Sequence, residues 1–143
     1  NAQCVATQTS YEGYWAGELT NSNDEDDKAF LVLKIENGQA KRLDYDEEKN
    51  DFVESNFGKE MSSLLGNNFS FVWMNQGGIW SETQSHSLSY LNERRLWCLM
   101  VRQVTNAQED EDVPGINDEG NLVYEGGLNY YRSLLALREA FLD

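Results

Sequence analysis

Basic residues are scarce in this chain. Of 143 residues, 11 are Lys or Arg against 25 Asp or Glu, a formal net charge of −14. Holding a phosphate backbone is mostly the work of cationic side chains that displace counterions, so this balance argues against nucleic-acid binding and equally disfavours an anionic membrane surface. Long apolar runs are missing too. Neither Ala29 to Leu33 nor the longest run, Leu96 to Val101, comes near the length needed to cross a bilayer. With one histidine, His86, and two cysteines, Cys4 and Cys98, the chain has too few ligands for the common structural zinc sites. Proline occurs once, at Pro114, and there are no internal repeats and no linker to mark a second domain.

What is present points to a folded β protein. Hydrophobic residues make up 40% of the chain and aromatics 12%, enough for a single domain over residues 1–143 with a real core. The chain opens Asn1-Ala2-Gln3 rather than with Met, the pattern expected of a mature exported protein, periplasmic or extracellular, whose leader has been removed. Cys4 and Cys98 would close a loop of about 95 residues if bridged, a constraint of about 4 kcal/mol, and a bridge implies an oxidising compartment. The alternatives are two reduced thiols, with Cys98 a small buried hydrophobe, or lipidation of Cys4.

Residues 11–106 read as a β-meander. Tyr11 to Thr20 form an aromatic first strand whose Gly13 and Gly17 imply bending or close backbone approach. Asn21 to Asp27 read as a polar loop, Ala29 to Ile35 as the second strand, and Asn37-Gly38 as a tight hairpin turn into Gln39 to Tyr45. Phe52 to Glu54 make a short strand, and Lys59 to Leu65, stopped by Gly66, one or two helical turns with Met61, Leu64 and Leu65 inward. Phe69 to Met74 alternate large aromatics on one face. Ile79 to Leu91 place Ser or Thr at most odd positions, and Arg94 to Thr105 form the longest strand. Residues 107–127 read as an acidic loop with no basic residue, and residues 128–143 as a C-terminal helix with Tyr130, Leu134, Leu137 and Phe141 at helical spacing. The fold predicted is mainly β: an antiparallel up-and-down meander of about seven strands, closed or nearly closed as a barrel. A two-layer sheet with the helix on one face is the alternative.

Gly13-Tyr14-Trp15 on the first strand resembles the Gly-x-Trp signature of lipocalins and related calycin barrels. That resemblance implies that Trp15 closes the barrel bottom with Arg102 of the last long strand stacked across its ring, and that the terminal helix docks on the barrel wall. The family's later Thr-Asp-Tyr-like turn motif is not in the chain.

No catalytic constellation emerges. His86 lies between Ser85 and Ser87 on a strand, so alternation places it opposite both hydroxyls, and a Ser-His-Asp arrangement is not built there. The acids of Asp24 to Asp27 and of Asp44-Tyr45-Asp46-Glu47-Glu48 lack the spacing of a helix–loop–helix calcium site, and no cofactor or resident metal is assigned. Phe69, Phe71, Trp73, Trp80, Gln84, His86, Tyr90 and Trp97 could line a ligand pocket or fill a core. Excess negative charge concentrates at Asp24, Glu25, Asp26 and Asp27, at Asp44, Asp46, Glu47 and Glu48, and at Glu109, Asp110, Glu111 and Asp112, where it would steer a basic partner. The sequence therefore predicts a non-enzymatic exported binding protein that captures or inhibits a basic protein, with a lipocalin-like carrier of a small hydrophobic molecule as the alternative.

Overall fold

A computed structural model of the chain describes residues 11–55, 59–65, 68–77, 80–106 and 121–142. Within them, strands β1 (Gly13–Asn21), β2 (Asp24–Glu36), β3 (Gln39–Asp46), β4 (Asp51–Glu54), β5 (Lys59–Leu65), β6 (Asn68–Gly77), β7 (Trp80–Asn92), β8 (Arg95–Asn106) and β9 (Leu122–Tyr131) precede one helix, α1 (Leu134–Phe141). All pairings are antiparallel, and the nine strands form one sheet in the order β4-β3-β2-β1-β9-β8-β7-β6-β5. It is two meanders, β1 to β4 and β5 to β9, joined where the first strand pairs with the last.

The sheet is open, with nine strands instead of a closed barrel of seven, yet it curls strongly. One core cluster holds Trp15 and Leu19 of β1, Leu33 and Ile35 of β2, Phe69 and Phe71 of β6, and Leu96 and Leu128 of β8 and β9. Period-two alternation makes this possible, because each strand turns its large apolar residues to the same concave side. The free edges meet without a backbone ladder. Instead the Ala40 N–H of β3 donates to Ser62 Oγ of β5 at 3.0 Å, and the Arg42 N–H donates to Glu60 Oε2 at 3.1 Å.

A second, smaller cluster lies on the convex side, where Leu137 of α1 packs on Ala16, Val32, Leu43 and Phe52. Ser133 caps the helix by accepting the Ala136 N–H at 3.1 Å. This is the docked terminal helix the sequence led us to expect, but it begins later.

Three local expectations are corrected. Residues 122–127 enter β9, and the helix expected from residue 128 starts at Leu134, because Tyr124, Gly126 and Leu128 alternate inward and only the last four-residue spacings are helical. Lys59 to Leu65 are a strand, not helical turns: they pair with β6 from Lys59↔Met74 to Leu65↔Asn68, and Met61 is exposed rather than inward. The expected loop over Asn21 to Asp27 shrinks to a turn at Ser22 and Asn23, with Asp24 already in β2. The acidic stretch 107–120 lies outside the described residues.

The hairpin at Asn37-Gly38 is as expected, with both φ angles positive at 54° and 73°. The expected close approach at Gly17 is also present. A Cβ there would collide with the Gly127 carbonyl of β9, and a Cβ on Gly126 would collide with the Glu18 carbonyl of β1. The two meanders therefore join through backbone contact that no side chain could share. We expect Gly17→Ala and Gly126→Ala each to lower unfolding free energy by at least about 2 kcal/mol in urea titrations, because the ladder must part to admit a methyl group. Wild-type stability in either variant would contradict the tight joint.

Candidate functional site

The concave interior has two chemically different ends. At one, Trp15 is buried, its indole N–H donates to the Tyr11 carbonyl at 2.8 Å, and its ring meets Tyr130 edge-on at 5.2 Å. Tyr11 continues the cluster to Phe69 and Tyr90 with centroids 5.2 and 5.8 Å away. Trp15 lies toward one end of the curled interior. Its partner is not Arg102: Trp15 stands opposite Tyr130, beside the level where Arg95 faces Asn129, whereas Arg102 faces Leu122 at the far end of β8. Seven positions along an extended strand separate Arg95 from Arg102, a span of about 23 Å. The expected Trp15–Arg102 stack is not formed.

Arg102 belongs to the polar end. Its guanidinium grips Glu82 with two bonds, Nε to Oε2 at 3.0 Å and Nη2 to Oε1 at 3.1 Å. The Gln84 amide donates to Glu82 Oε2 at 2.6 Å and accepts from Arg42 Nη1 at 2.8 Å. Arg42 also covers the Trp73 ring at 4.9 Å. Beside this chain of bonds, Asp27 Oδ2 accepts from the Tyr124 hydroxyl at 2.6 Å and from Asn21 at 3.0 Å. Those two bonds hold the Asp27 carboxyl below its ordinary range. Burial works to raise the Glu82 carboxyl, but Arg102, Gln84 and the Arg42 charge outweigh it and leave it lowered. Glu60 is raised, because burial there exceeds the help it receives from the Arg42 N–H.

Between the two ends sits His86. It is 1% exposed, stacked flat on Phe71 with centroids 4.0 Å apart, and among the described residues neither ring nitrogen has a hydrogen-bond partner. Burial, reinforced by the Arg42 charge, depresses its pKa to about 4, against a weaker opposing pull from the Phe71 and Gln84 backbone. The ring is therefore neutral at physiological pH. As expected, its serine neighbours face the other way: Ser85 and Ser87 are exposed.

The expected pocket residues separate into groups. Phe69, Phe71, Trp73, Gln84 and His86 are buried on the concave side, with Tyr90 partly buried at its edge. Phe69 and Phe71 pack within the apolar cluster. Trp97 lies on the convex side and is exposed, and the Trp80 side chain lies outside the described residues. Cys98 is a free, fully buried thiol whose pKa burial pushes up to about 12, so no bridge engages it, while Cys4 lies outside the described residues. The expectation of an oxidising compartment loses the support it drew from that bridge.

Asp24, Glu25 and Asp26 are exposed at the start of β2 and make no ion pair among the described residues. Asp27 turns into the interior network instead. Asp44 approaches Arg42 Nε at 3.7 Å, while Asp46 caps its own turn by accepting the Glu48 and Lys49 N–H groups, with Glu47 and Glu48 exposed. Glu109, Asp110, Glu111 and Asp112 lie outside the described residues. Sequence reasoning missed Arg42, Glu60, Glu82 and Tyr124. Glu82 was findable: with Ser or Thr at odd positions of β7, the even set Glu82, Gln84, His86 and Leu88 had to face inward.

No protein-family model, curated protein or solved structure matches this chain. Its chemistry has to be read from its own geometry.

The orphaned imidazole makes a pH prediction. In the unfolded chain His86 takes up a proton near its ordinary value of 6.5, but in the fold only near 4. The unfolded state therefore binds more protons in that window, so stability is complete above about pH 6.5 and falls toward pH 4, by about 3 kcal/mol for this group. Other carboxylates titrate in the same range, so the comparison is with His86→Leu. Urea titrations at successive pH values should show the variant gaining on wild type as the pH drops. Parallel curves would mean the ring is hydrated or partnered.

Proposed function

We propose that this chain is a non-enzymatic binding protein that receives a basic partner at the polar end of its curled sheet. The observation that carries the reading is the segregation of its carboxylates. Asp24, Glu25 and Asp26 project into solvent beyond the β1–β2 turn, and β3 runs past Arg42 toward Asp44, Asp46, Glu47 and Glu48 at the same end. Arg102 is committed inward to Glu82, and Arg42 is shared between Gln84 and Asp44, so neither offsets Asp24, Glu25 or Asp26. Those three exposed carboxylates thus face solvent without an ion pair among the described residues, and a field of one sign accelerates encounter with a partner of the other.

Two features weigh against a chemical role for this end. Glu82 and Asp27 both have their carboxyls lowered by fixed donors, which holds them as ionised structural acceptors rather than proton donors. His86 is sealed from solvent. The carrier alternative draws no support from Phe69 and Phe71, which pack against their neighbours in the core cluster.

A decalysine peptide titrated against the protein by calorimetry is a direct probe. Affinity should fall steeply between about 50 and about 300 mM salt, as the screening length shortens. A variant with Asp24, Glu25 and Asp26 all changed to Ser should bind about tenfold more weakly, while Glu36→Ser at the opposite end should bind as wild type. Equal loss in both variants would show that the charge acts only in bulk and has no address.

A further inference from the structure

Strands β2 and β3 part company at the acidic end of the sheet. Their ladder stops at Leu33↔Arg42, although β2 reaches back to Asp24 and β3 runs on to Asp46. Beyond that point β2 stays with β1 as far as Thr20↔Lys28, while β3 pairs with β4 from Leu43↔Glu54 to Asp46↔Asp51. The last residues of α1 border the gap on the convex side. Phe30, Tyr45, Asn50, Phe52, Phe141 and Leu142 line it as a groove of about 590 Å³.

The groove is aromatic and braced. Phe30 and Phe141 meet edge-on at 5.0 Å on one wall, and Tyr45 meets Phe52 edge-on at 6.1 Å on the other. Arg138 of α1 holds the helix to β4 through Asp51, Nε to Oδ1 at 3.3 Å, and the Tyr45 hydroxyl donates to Asn50 Oδ1 at 2.7 Å. Phe52 is buried, but Phe30 is 47% exposed, Tyr45 46% and Phe141 42%. Single apolar residues on a surface are ordinary; three large rings turned toward one groove mark a place that contacts something.

Charge says what that something is. Glu47 and Glu48 are exposed on the turn between Tyr45 and Asn50, Glu18 stands opposite Phe30, and Asp24, Glu25 and Asp26 are exposed at the start of β2. Of the cations close by, Lys28 is paired with Glu18 at 3.4 Å and Arg138 with Asp51, and Lys49 offsets no more than one carboxylate of its own turn. The C-terminal end of α1 adds partial negative charge at Phe141 and Leu142.

We propose that this groove receives one large aromatic side chain of a basic segment, whose flanking lysines or arginines reach the surrounding carboxylates. The proposal rests on the basic-partner reading above and adds to it an apolar anchor. An anchor in an apolar centre with a charged rim is the arrangement in which interface energy concentrates, and exposed ring edges on both walls suit a further aromatic ring. A neutral apolar molecule would draw nothing from the rim.

Three peptides separate the possibilities by calorimetry: decalysine, decalysine with one central tryptophan, and decaserine with the same tryptophan. The tryptophan should tighten binding of the basic peptide to wild type about tenfold over decalysine. Salt at about 300 mM should weaken both basic peptides and preserve that ratio, because apolar contact is not screened. In Phe30→Ser, checked for folding by circular dichroism, the ratio should fall to about one; Tyr45→Ser removes the opposite wall and reads the same loss if Phe30→Ser does not fold. Changing Asp24, Glu25 and Asp26 together to Ser should weaken both basic peptides by the same factor. Decalysine that binds wild type with no gain from tryptophan overturns the groove and leaves the charge reading standing, whereas decalysine that fails to bind at low salt overturns the charge reading itself. Full preference for tryptophan in both folded groove variants, or a decaserine peptide that binds as tightly as the basic one, also overturns the proposal.

Discussion

Everything in this fold depends on the pairing of its first strand with its last. β1 heads one meander and β9 ends the other, and among the described residues their ladder is the strand pairing that joins the two halves of the sheet. The glycines make it. Gly17 and Gly126 bring the two backbones into contact where any side chain would hold them apart. Once the halves are joined, β2 and β8 lie on either side of the seam, and their inward residues complete one core. The distant edges then approach closely enough for Ser62 and Glu60 to serve as acceptors for β3. A joint between strands about a hundred residues apart closes late, since its loop entropy must be met before its contacts form.

The curled interior sorts its residues along its length. Aromatic side chains seal the Trp15 end, where Tyr11 supplies the acceptor that a buried indole needs. The other end holds ionised groups, and there each buried charge has a partner. Glu82 receives two bonds from Arg102 and one from Gln84, and Gln84 in turn receives Arg42. Removing one member of such a chain leaves another buried and unpaired, which costs far more than the intact pair contributes. His86, at the boundary, is the exception. It belongs to neither environment, and its cost is met by staying neutral.

Much of this was legible in the sequence because alternation and turn chemistry are local. Asn37-Gly38 requires positive φ and produced a hairpin; Phe69, Phe71 and Trp73 share a face and went inside; the hydroxyl-rich odd positions of β7 went outside. What was not legible depends on remote partners. Lys59 to Leu65 carry a helical spacing of apolar residues, yet β6 needed a neighbour and the segment was the one available. Tyr130 and Leu134 sit four apart as in a helix, but β1 recruits the chain as far as Tyr131 before Ser133 can cap. Arg102 looked like a partner for Trp15 because distance along a strand cannot be judged without its register, and register is set by the strand next door.

The β1–β9 joint is tested most directly by amide hydrogen exchange together with cross-strand nuclear Overhauser contacts. If it unites the halves, Ala16 and Asn129 will show close Hα or amide contacts, as will Thr20 and Glu125, and the amides of both strands will exchange only through global unfolding. Exchange of β1 with β2 at one rate and of β9 with β8 at another, without those contacts, would mean that the two meanders are separate units and would contradict the account.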